Sequence, residues 1–86
     1  MTDTRNTTPP DVRQSSTIYI NTDTSKDAFI RALHNAEKGD RIVYHIGQHC
    51  GGLHRRDAAK AGEDGKALLF CKRSYGGTFE YLAVKK

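Results

Sequence analysis

The chain has 86 residues, 36% of them hydrophobic and none of them tryptophan, and a formal net charge of +4 at pH 7. A chain of this size buries only about 60% of the surface that it exposes when unfolded, which excludes a roomy enclosed active site and favours one small domain. No apolar run reaches the ~20 residues of a membrane span, and the opening stretch MTDTRNTTPPDVRQSS has no hydrophobic signal segment, so a cytoplasmic, soluble chain is expected.

The charge is unevenly spread. Residues 1–40 carry five Lys or Arg against six acids, whereas residues 41–86 carry nine against four. Such asymmetry points to a polyanionic partner, although a modest basic excess is also an ordinary route to solubility.

Residues 1–16 are rich in Thr, Ser and Asn, contain Pro9-Pro10 and show no periodicity, which predicts a flexible tail ahead of a single domain over 17–86. Thr17-Ile18-Tyr19-Ile20 is β-branched and aromatic and predicts a short strand. A helix over about 25–38 follows. Thr24 is placed to cap it, Asp27 supports its dipole, Phe29, Leu33 and Ala36 form its apolar stripe, and Gly39 stops it. Residues 41–46 alternate, with Ile42, Tyr44 and Ile46 on one face and Val43 and His45 on the other, as in a central strand. The alanines at 58, 59 and 61 predict a second helix over about 53–64. KALLFCK (66–72) reads as a buried strand, with an extension of the second helix as the other possibility, and FEYLAV (79–84) reads as a strand. With the turn Ser74-Tyr75-Gly76-Gly77 between them, residues 66–84 form an antiparallel hairpin. The fold class is α+β, in the order β-α-β-α-β-β.

Three sets of residues could carry chemistry. His45, His49, Cys50, His54 and Cys71 are metal-ligand types, but they include no Cys-x-x-Cys pair. The plainer reading has His45 as a sheet residue, His49 and His54 solvated, and both cysteines reduced and partly buried, so no metal or cofactor is expected. A cysteine nucleophile needs a base and an electropositive setting, and no local signature supplies them; no catalytic residues and no enzyme activity are expected. The third set is basic. Arg55, Arg56 and Lys60 lie on the second helix, with Arg56 and Lys60 four apart, and Lys72, Arg73 and Tyr75 lie at the hairpin turn. A helix followed by a ribbon with a basic tip is the layout of a winged helix on duplex DNA. A solvated helix face and a hairpin edge guarded by lysine is the competing reading.

Over residues 39–86, GDRIVYHIG, GKALLFCKR, the Gly-containing turn and FEYLAVKK resemble small proteins of phages and prophages in which a short helix precedes a basic hairpin. Lys72-Arg73, Gly77 and Phe79-Glu80-Tyr81 carry the likeness. It implies a reduced winged helix with two evident helices instead of three, the missing one lying within Gln48 to Leu53, in the cytoplasm of a host cell. The expected function is non-enzymatic binding of duplex DNA, with a salt slope of about −4 to −5 if four to six phosphates are neutralised, and with a homodimer if the role is repression. The alternative is a phage-type inhibitor that occupies a host protein such as a nuclease complex or polymerase.

Overall fold

The computed structural model describes residues 15–86. Its elements are β1 (Thr17–Tyr19), α1 (Ala28–Asn35), β2 (Arg41–Gly47), α2 (Arg55–Glu63), β3 (Ala67–Arg73) and β4 (Phe79–Lys85), with a 3-10 turn at Tyr75–Gly77 between the last two strands. The sheet order is β1-β2-β4-β3. β1 runs parallel to β2 through the α1 crossover, and β4 is antiparallel to both of its neighbours. The result is a single small α/β domain with two helices on one face of a four-stranded sheet.

That face is the core. Phe29, Leu33 and Ala36 from the first helical segment, and Ala58 and Ala61 from α2, pack against Ile42, Tyr44, Ala67 and Ala83 of the sheet, with Ile20 beside them. Phe29 is fully buried and meets Tyr44 edge to face at 5.7 Å. α2 presents alanines to the sheet and so lies close to it. A Cβ built on Gly62 would stand 3.1 Å from Leu69.

The first helix is shorter than its apolar stripe predicts. Asp27 takes a left-handed conformation at φ 59, which ends the helical path in the N-terminal direction. The expected Thr24 cap is not formed: α1 has no side-chain cap at its start, and in the loop ahead of it the Asp23 carboxylate accepts from the Ser25 amide at 2.8 Å and from its hydroxyl. At the other end Ala36 is already extended, and Gly39, at φ 91, serves the turn into β2. Lys85 Nζ donates to the carbonyls of Ala36 and His34, a C-terminal cap supplied from the last strand.

Three further expectations need correction. A β-bulge between Val43 and His45 breaks the predicted alternation of β2, so Ile46 pairs with Glu80 on the face that no helix among the described residues covers, instead of joining Ile42 and Tyr44. β3 is an edge strand, not a buried one, and its residues from Leu68 to Arg73 are all exposed. Residues 48–53 form bends and a turn without a helix, so the third helix of a full winged helix is missing there.

Most of the expected tail lies outside the described residues. Its last residue, Ser16, is anchored. The Ser16 amide donates to Asp40 Oδ1 at 3.0 Å, and its carbonyl accepts from the Arg41 amide at 2.9 Å.

Candidate nucleic-acid interface

Short connections decide where the basic residues gather. Only three residues join α2 to β3, so α2 runs back along β3 and starts near the end of the sheet where the β3–β4 turn lies. β2 ends there too, because Gly47 pairs with Phe79, which pairs with Arg73. The loop from β2 to α2 folds over this end. His45 Nε2 is 2.9 Å from the His49 carbonyl, and the His45 ring stacks against Tyr81 at 5.7 Å. Gly52, at φ 83, passes so close that a Cβ there would meet His45 Nδ1 at 2.8 Å. Only glycine satisfies both the backbone angle and the approach.

Arg55 and Arg56 open α2 at this end, and both are exposed. The helix has no side-chain cap at its start, so its first amide groups add a positive dipole end to the same region. Tyr75 stands out at the hairpin tip with 94% of its surface exposed. Lys72 and Arg73 bracket the tip but leave the sheet on opposite faces, as neighbours in a strand must. The Arg73 guanidinium lies 6.0 Å from the Phe79 ring centroid on the helix side, while Lys72 faces Glu80 across β4 on the uncovered side. Lys60 is set apart. It lies farther along α2 and is paired with Asp64 at 3.4 Å. Five of the six expected residues therefore share one end of the molecule, and Asp23, Asp57 and Glu80 are acids near it.

The histidine and cysteine set is divided. His54, expected to be solvated, is buried at the start of α2, with Nε2 2.6 Å from the Asp23 carbonyl, where it ties the loop before α1 to α2. Cys50 and Cys71 are free and exposed thiols. Among the described residues no three His, Cys, Asp or Glu side chains are grouped to hold a metal ion. No helix among them is long and apolar enough to cross a membrane.

Burial, reinforced by the neighbouring thiols Cys50 and Cys71, pushes the Tyr44 phenol up to about 12. Tyr81 is raised by the same causes. A phenol that stays protonated in the fold while its unfolded counterpart ionises near 10 stabilises the fold at lower pH, and that contribution is lost as pH rises from about 10 to 12. The folded fraction, followed by circular dichroism, should therefore fall over this interval. Tyr44→Phe should make the decline shallower, and an unchanged profile would count against this linkage.

Sequence reasoning missed the uncovered face of the sheet. There Tyr19 and Phe70, 59% and 50% exposed, stand at either edge of one transverse row. The alternation Leu68-Phe70-Lys72 carries the signal once β3 is known to be an edge strand.

In comparison with known proteins, the chain matches no protein-family model, and no curated protein or solved structure is significantly similar to it.

Proposed function

We propose that this is a small, non-enzymatic protein that binds duplex DNA chiefly through phosphates, using the start of α2 and the β3–β4 turn together. The observation that supports this reading is their convergence on one end of the sheet, where Arg55 and Arg56 open α2, Tyr75 stands at the hairpin tip, and Arg73 and Lys72 flank that tip on the helix face and the opposite face. The helix-then-ribbon layout is that of a reduced winged helix, in keeping with the phage and prophage proteins that the sequence resembles. With α2 packed lengthwise on the sheet, its first turn, and not its whole flank, is what meets the duplex. Such a footprint holds position on the backbone and reads few bases, so a homodimer is required if the role is repression.

With Lys60 set a turn farther along α2, four cations remain at this end for phosphates. The logarithm of the binding constant should then fall against log salt with a slope of about −3.6. A fluorescence-anisotropy titration of a labelled duplex at several salt concentrations measures it. The Arg55/Arg56/Lys72/Arg73→Ala variant should lose binding at moderate salt, and binding that is flat in salt or unchanged in this variant would refute the reading.

One observation favours the rival class, an inhibitor of a host protein. Among the described residues no strand pairs with the outer edge of β3, which offers a partner's strand a place to add. Pull-down from nuclease-treated host lysate separates the two: loss of the bound material with the nucleic acid supports DNA binding, and a retained protein supports the inhibitor.

A further inference from the structure

Neither helix covers the second face of the sheet, because both pack on the face that carries Ile42, Tyr44 and Ala83. On the uncovered face, Tyr19, Val43, Leu82 and Phe70 are successive register partners and so form one straight row across all four strands. The two central members are buried, at 1% and 7% exposed, so the accessible apolar surface of the row lies in the rings at its ends. The two aromatic rings at its ends stand about half exposed, roughly 14 Å apart at three strand spacings. Between them lies a shallow depression of ≈ 580 Å³, whose lining also includes Arg41 and Lys72. Arg41 belongs to the row on one side of the aromatic row, and Lys72 to the row on the other.

We propose that this face binds single-stranded nucleic acid, with one base on Tyr19, another on Phe70, and the strand's phosphates at Arg41 and Lys72. Every base offers a flat π-surface, and a platform that combines separated aromatic rings with flanking cations recognises this chemistry without reading sequence. The charge is complementary on both sides of the row. Glu80, beside Lys72, is the one carboxylate on the platform among the described residues and opposes the strand. A second copy fits the face poorly. Its footprint, about 14 Å by 20 Å, is well below the roughly 800 Å² per partner that a stable interface buries, and face-to-face pairing would bury Arg41 and Lys72 on both copies. The proposal uses a different face from the duplex interface, with Lys72 alone common to both, and does not depend on it.

The test uses the full chain and a labelled 15-nucleotide oligothymidylate, with a duplex of equal length in parallel. Removing the rings in Tyr19→Ala/Phe70→Ala should weaken oligothymidylate binding by about ten-fold or more per ring and leave duplex binding unchanged. Glu80→Gln should tighten single-strand binding a few-fold. Arg55→Ala/Arg56→Ala should lose the duplex and keep the oligothymidylate, so the two readings fail separately. Tyr19→Trp places the chain's only tryptophan on the platform, and its emission should be quenched when the oligothymidylate binds, a readout that survives if the alanine variant folds badly. Absence of binding, affinity indifferent to both rings, indole emission in Tyr19→Trp that the oligothymidylate leaves unquenched, or a sedimentation dimer that Phe70→Ala dissolves would each overturn the proposal.

Discussion

Phe29→Ala should leave the domain largely unfolded near physiological temperature. Phe29 is fully buried between the helices and the sheet and packs edge to face on Tyr44. Truncating such a ring costs about 3 to 5 kcal/mol, from lost transfer energy and from the cavity left behind. A domain of about 70 residues has only about 4 to 10 kcal/mol of stability in total. The other core contacts cannot absorb the loss, because five of the ten clustered residues are alanines with little area to contribute beyond the closeness they permit. Thermal unfolding followed by circular dichroism should show a fall in Tm of roughly 12 °C or more. Phe29→Leu, which keeps most of the volume, should cost much less. Ile30→Ala, one position along and 51% exposed, should change Tm little. Equal effects at 29 and 30 would contradict the packing described for α1.

The second large effect is expected at Asp40, only 3% exposed. Its Oδ1 accepts from the Ser16 amide at 3.0 Å and its Oδ2 from the Glu37 amide at 2.9 Å. One carboxylate thus fixes the turn after α1 and holds the segment that enters β1. Asp40→Ala leaves two donors without their acceptor, at about 1 to 3 kcal/mol each. β1 has only three residues in the ladder, so the loss should appear first as its detachment from β2. Hydrogen exchange measured by NMR should show faster exchange at the Arg41 amide, which donates to Ser16, and at the Ile20 amide, which donates to Val43. Asp40→Asn keeps one acceptor and should fall between wild type and alanine. Stability in Asp40→Ala within about 0.5 kcal/mol of wild type, the range of an ordinary surface substitution, would show that the carboxylate is dispensable.

Much of the architecture is legible in local sequence. TIYI and FEYLAV are β-branched or aromatic runs with turn residues beside them, and the alanines of α2 declare a helix that must lie close to something flat. What is illegible depends on partners distant in the chain. The Ile42-Tyr44-Ile46 alternation is regular, and only pairing with β4 exposes the bulge that turns Ile46 away. His54 sits among charged residues and reads as solvated until the Asp23 carbonyl, 31 residues away, is brought against it. KALLFCK has the composition of a buried strand, yet strand order places it at an edge. The candidate interface shares this character. The basic residue types are visible in the sequence, but the separation of Lys72 from Arg73 onto opposite faces, and the withdrawal of Lys60 to Asp64, follow from the strand register and the helix geometry.

The position of β4 also bears on how the molecule is made. It is the last element along the described chain, yet it is an interior strand, hydrogen-bonded to β2 on one side and β3 on the other. Until residues 79–85 have left the ribosome, β2 and β3 have no ladder between them, and Lys85 cannot reach the end of α1. A nascent chain that stops before this point holds two halves of a sheet with no middle. Folding must therefore wait for β4, and a chain cut short before Phe79 should be a substrate for proteases and not a smaller version of the domain.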